Sequence, residues 1–160
     1  MEQPMGYRNY LAANGLAAAG RLTVTRRGVR SFDPMQYALL TNMAWLCADW
    51  PLDEQAERMH MLPRTYTQGW SRIAEGLGMT LAETPEEIVD ISDRPRAPHR
   101  ERLAANRISQ AAGKLEAAGL IKCLRKGSVQ RKNNAVWLLM LGDREENMQV
   151  EEFVRSRMRL

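Results

Sequence analysis

The segment Lys114-Leu-Glu-Ala-Ala-Gly-Leu-Ile121 sets the tightest limit on the fold. Upstream of it, in residues 99–118, Ala104, Ile108, Ala111, Ala112, Leu115 and Ala118 fall on one arc of a helix that turns about 100° per residue. Gly119 stands where a helix end needs a left-handed residue. Residues 120–125 then read at once as a strand, residues 126–134 as a basic turn, and residues 135–141 as a second, unbroken apolar strand. A long helix that passes through one glycine straight into a hairpin is a demand that few folds meet.

Two shorter helices precede it. Asp33 can cap the free amides of the first, with Pro34 at its opening position. Met35, Leu39, Met43 and Leu46 form its stripe, flanked by Ala38, Cys47 and Trp50, and Pro51 is expected to stop it. Residues 52–62 read as an acidic, Met-rich linker. Thr67 can cap the second helix, which carries Trp70, Ile73, Ala74 and Leu77 at helical spacing and ends near Gly78. Residues 79–99 form a polar insertion, with a helical turn opened by Thr84, Pro85, Glu86 and Glu87, and a proline-and-arginine loop at 94–98.

At the N-terminus, residues 7–19 read as an Ala-rich helix and residues 21–32 as extended segments around Gly28. At the C-terminus, Asp143 caps a last amphipathic helix, acidic in its first turns and ending in Arg155, Arg157 and Arg159, in agreement with the helix dipole. The chain thus divides into 1–32, 33–141 and 142–160, with the insertion at 79–99 and the hairpin at 120–141. The expected class is mainly α with a small β-hairpin, an α+β arrangement.

With 160 residues, 44% apolar and 26% charged, the chain can build one ordinary core with an appendage at each end. Its longest apolar run, 135–141, is far short of the roughly 20 residues that a membrane-spanning helix needs. Cys47 and Cys123 are too few and too far apart for a zinc or disulfide framework, and read as small buried apolar groups. The start lacks a basic segment, and Asn14 and Gly15 break the Ala-rich stretch, which makes a poor signal peptide. A soluble, cytoplasmic protein is expected.

The net charge of +4 conceals a strong asymmetry. Residues 94–132 hold eleven Lys and Arg against only Glu101 and Glu116, a local +9. Clustered charge creates a potential that suits a polyanion, although a solvated basic face would read the same way.

The succession of two short helices, a longer one and a hairpin carries a family resemblance. Trp70-Ser-Arg-Ile-Ala-Glu-Gly-Leu-Gly78 resembles the first helix of a helix-turn-helix. Arg107-Ile-Ser-Gln-Ala-Ala-Gly-Lys-Leu-Glu-Ala-Ala-Gly-Leu-Ile121 resembles the recognition helix and the start of the wing in MarR-like regulators and in plasmid or phage replication initiators. The resemblance spans about residues 33–141 and implies a winged helix-turn-helix that binds double-stranded DNA, with transcriptional control as the output. Replication initiation or partition for a plasmid or phage is the alternative, and an adaptor that docks an acidic protein partner is another. The family joins the two motif helices by a short turn, whereas about twenty residues intervene here.

Apart from the resemblance, Arg102, Asn106, Ser109, Gln110, Gly113 and Ala117 fall on the arc opposite the apolar stripe. Asn106 and Gln110 share a face at i and i+4; such amides can bond bidentately to adenine, as arginine can to guanine. Arg107 and Lys114 lie on one flank, at the reach of phosphates. Alternatively this arc is an ordinary polar solvent face. The hairpin turn adds Arg125, Lys126, Arg131 and Lys132 around Gly127 and Asn133–Asn134, suited to the phosphate backbone or the minor groove. Arg94, Arg96, His99 and Arg100 could reach flanking phosphates, and Arg26, Arg27 and Arg30 make a third basic cluster.

Val150, Phe153, Val154 and Met158 share one face of the last helix and, with Tyr7, Tyr10 and Leu11, are the expected homodimer interface; packing onto their own domain is the alternative. Nothing points to catalysis. His60 and His99 are far apart without ligand neighbours, and Glu75-Gly-Leu-Gly78 lacks a phosphate-loop lysine. Asp49, Asp53, Glu54 and Glu57 read as solvated linker. No catalytic residue, no metal and no cofactor is expected.

Overall fold

Apolar residues at every position of a strand imply cover on both of its faces, and the strand Val136–Leu139 has it. The computed structural model describes residues 5–80 and 98–160. Their elements run α1 (Tyr7–Ala18), β1 (Thr23–Arg26), β2 (Val29–Phe32), α2 (Pro34–Trp45), α3 (Glu54–Arg58), β3 (Thr65–Tyr66), α4 (Gly69–Gly76), α5 (Pro98–Ala117), β4 (Ile121–Arg125), β5 (Val136–Leu139) and α6 (Arg144–Met158). The arrangement is α+β, with one antiparallel sheet of β1 and β2 and another in the order β3-β5-β4. None of these helices is long and apolar enough to cross a membrane.

Central strand β5 divides the core in two. Leu139 and the half-buried Trp137 belong to the main core, with Leu39, Met43, Ile73, Ile108 and Leu115 from the helices. Leu138 points the opposite way and packs with Val150 and Val154 of α6, edged by Trp50, Leu62, Phe153 and Met158. The face of α6 expected to meet a second copy is therefore used inside the chain: Val150 and Val154 are fully buried there. Trp50 meets Phe153 edge-on, and the Arg157 guanidinium lies 4.6 Å from the Phe153 ring centre. Of the residues assigned beside them, Tyr10 meets Trp45 edge-on while Leu11 stays exposed.

The small strand β3 has no counterpart in the expected pattern. It pairs Thr65 with Leu138 and Tyr66 with Trp137, and two residues are too few to display an alternation. On the other edge of β5, Ile121 faces Leu139 and Cys123 faces Trp137, before the register shifts ahead of Arg125.

Local chemistry explains most helix ends. The Asp33 carboxylate accepts the amides of Met35 at 3.0 Å and Gln36 at 3.4 Å, with Pro34 at the first position, as expected. Helix α2 stops at Trp45, well before Pro51, in a tightened last turn where the Cys47 amide returns to the Ala44 carbonyl, and the carbonyls beyond it serve other partners. Those of Cys47 and Ala48 accept the Asn9 side-chain amide, and that of Ala48 also takes the Arg64 amide. Within the expected linker, Asp53 caps the short α3. Thr67 does not cap α4, which opens after Gln68 without a side-chain cap; its carbonyl instead accepts the Asn134 amide at 3.2 Å. Helices α4 and α5 end alike: Met79 returns its amide to Ala74 after Gly78, and Leu120 returns its amide to Leu115 after Gly119.

Helix α5 buries Ala104, Ile108, Ala111, Ala112 and Leu115, as its periodicity predicts. Ala118 departs from the stripe. It stands past the helix end, exposed, and its carbonyl accepts Arg21. Helices α4 and α5 pack on each other and both pack on α2, so the twenty-odd residues between them do not part the pair.

At the N-terminus, Gly6 brings α1 against the end of α2. Its φ is +81°, and a Cβ there would collide with the Trp45 carbonyl, so no other residue fits.

Candidate nucleic-acid interface

Five short or polar residues on α5 set its outer surface. Asn106, Ser109, Gln110, Gly113 and Ala117 are all exposed, as is Arg102, and Asn106 and Gln110 stand one turn apart. An arc this poor in bulk lets the helix backbone approach another surface closely. Leu103, half exposed at its N-terminal end, was not anticipated there.

The flank of α5 is less free than its face. Lys114 Nζ lies 3.6 Å from Asp33 Oδ2, and Arg107 lines the shallow cleft that also holds Asp33, Pro34 and Met35. Both cations expected to meet phosphates thus surround the cap of α2. Burial opposes ionisation of Asp33, but the Gln36 side chain, the two capping amides and the Lys114 charge outweigh it and hold the carboxyl below its ordinary value. Arg100 is half-buried. Arg94, Arg96, the side chain of His99 and the turn expected at residues 84–87 lie outside what is described.

In the hairpin, Arg125, Lys126, Arg131 and Lys132 are all exposed. Its tip is tightly built. Ser128 and Asn133 exchange backbone hydrogen bonds at 3.0 and 3.1 Å, and the Lys132 amide reaches Val129 at 3.2 Å. Lys132 takes the left-handed conformation with φ +51°, and Val129 at the apex is 95% exposed. At the hairpin base, Asn134 packs on Gly69, whose φ is +76°, and so ties the hairpin to the start of α4. The cationic tip is thus held by backbone geometry.

Behind the hairpin stands a row of aromatic rings drawn from three elements, of which the sequence pattern places Trp70 and Trp137 but not Tyr66. Tyr66 stacks on Trp70 at 6.1 Å with planes 12° apart, and Trp70 meets Trp137 at 5.5 Å. The pairing of Tyr66 with Trp137 across β3 and β5 brings Trp137 into this row.

The third basic cluster occupies the β1–β2 hairpin. Arg27 and Gly28 form its turn, both with positive φ, and Arg26 is exposed. Arg30 is used internally, with donors on the Thr23 hydroxyl and the Gly20 carbonyl. Among the described residues, no three His, Cys, Asp or Glu side chains gather as a metal site requires. The Cys47 thiol is buried, and desolvation raises its pKa.

Comparison with known proteins finds no matching family model, no matching curated protein and no matching solved structure.

Proposed function

We propose that the chain is a winged helix-turn-helix protein that binds double-stranded DNA, with α5 in a major groove, the β4–β5 hairpin as the wing on the backbone, and transcriptional control as the output. Three helices, α2, α4 and α5, with a sheet ordered β3-β5-β4, match the connectivity that such a fold requires. The single observation that carries the reading is the outer arc of α5. It is exposed and short-chained, bears Asn106 and Gln110 one turn apart, and runs through Gly119 into a hairpin with four exposed cations.

Salt dependence tests it. Fluorescence anisotropy of a mixed-sequence duplex of about 30 base pairs, from about 50 to 200 mM salt, should show a linear log–log fall in affinity, with six to ten phosphate contacts losing roughly 10³–10⁵ over that range. No binding at the lowest salt overturns the proposal and directs the search to an acidic protein partner.

A further inference from the structure

We infer that the cleft between the β4–β5 hairpin and the start of α4 takes an unpaired nucleotide, its base against the tryptophans and its phosphate on the hairpin lysines. The cleft holds about 490 Å³ and is lined by Trp70, Trp137, Val129, Lys132 and Asn133, with Gly69 at its edge. That volume lies in the range of roughly 300–1,000 Å³ typical of small-ligand sites.

Its wall is a rigid aromatic platform. Tyr66 is buried, and its hydroxyl donates to the Gly69 carbonyl at 2.6 Å, so it backs Trp70 firmly. Trp70 and Trp137 are half-buried and both line the cleft, so a planar ring that enters it extends the row. Among the described residues, Lys132 is the only charged one in the lining and no carboxylate lines it, with Lys126 and Arg131 exposed on the same loop. An occupant that complements this wall and this charge is aromatic and anionic. In a duplex, neighbouring pairs cover both faces of every base, whereas an unpaired base offers a face for stacking. A single-stranded nucleotide segment is therefore the fitting occupant. The inference rests on the proposed function only in taking the hairpin to meet a polyanion.

The test titrates the full chain with an oligothymidylate of about ten nucleotides while intrinsic tryptophan emission is read. An abasic strand of equal length serves as the phosphate control, and anisotropy of a blunt labelled duplex is measured beside it. Oligothymidylate should quench the emission and bind roughly tenfold tighter than the abasic strand, a difference that Trp137→Leu abolishes. Lys132→Ala, on an exposed loop where folding is not at stake, should weaken oligothymidylate several-fold. Equal affinity for the two strands, or binding without quenching, overturns the inference. A duplex bound while oligothymidylate is ignored also overturns it, yet leaves the proposed function standing. Quenching by oligothymidylate without duplex binding supports it and removes the duplex reading.

Discussion

The Arg64 Nε donates to the side-chain oxygen of Asn9 at 3.2 Å, and this one hydrogen bond joins the N-terminal helix to the edge of the central sheet. Arg64 is buried with φ +49°, and its Nη1 forms an ion pair with Glu146 of α6 that lacks hydrogen-bond geometry. Asn9 in turn accepts nothing from solvent: it is fully buried, with its amide nitrogen on the Cys47 and Ala48 carbonyls and its backbone amide on Asp49. Truncating Asn9→Ala would strand Arg64 Nε in the interior. Urea unfolding should show a loss of about 1–3 kcal/mol, the penalty for an orphaned buried group. A neutral result would mean that water replaces the contact.

Asp33 unites two roles, and two variants separate them. Asp33→Ala should cost about 1 kcal/mol by removing the cap, whereas Asp33→Asn keeps a capping oxygen but loses the charge that meets Lys114 and the oxygen that accepts the Gln36 side-chain amide. The folded carboxyl titrates below its unfolded value of about 3.9, so on acidification the unfolded state takes the proton first. Its stabilisation is complete above that value and is lost as pH falls through the lower, folded one. Glu151, opposed by burial but lowered by Lys122 and Arg155, acts in the same direction. Asp33→Asn should therefore flatten the acid limb of the stability–pH curve below about pH 4, measured by denaturation at stepped pH.

Leu115 is fully buried beneath α5. Leu115→Ala should lower stability by roughly 2–5 kcal/mol in chemical denaturation. An unchanged midpoint would mean that the core side of the helix has been assigned to the wrong residues.

For the duplex reading, Asn106→Ala with Gln110→Ala should flatten sequence preference in a selection experiment more than it lowers total affinity. Preference that survives the double change would remove both amides from base readout.

The hairpin cations make a different prediction. Lys126→Ala with Arg131→Ala should weaken all duplex sequences alike and reduce the salt slope by about two. An unaltered slope would take the hairpin off the phosphate backbone.

Much of this architecture is legible one residue at a time, because helix periodicity and capping are local. The stripe Ala104, Ile108, Ala111, Ala112 and Leu115, the cap at Asp33 and the glycine ends at Gly78 and Gly119 all depend on neighbours within about one or two turns. Where expectation failed, a distant partner intervened. Past Trp45 the chain leaves the helix with the Cys47 and Ala48 carbonyls held by Asn9 and Arg64, and beside α4 the Thr67 carbonyl is held by Asn134 while Gln68 takes the cap position.

What the sequence determined by itself is the larger helices and the two hairpins, the buried and exposed faces of α5, and the concentration of positive charge from the insertion to the hairpin. Only the tertiary structure decided which faces meet. It spends Val150 and Val154 on Leu138 within the chain, places Lys114 against Asp33, and lines up Tyr66, Trp70 and Trp137. The physical reason is the same in each case: an apolar or charged side chain announces that it needs a partner, but its spacing along the chain carries no record of which partner will be near.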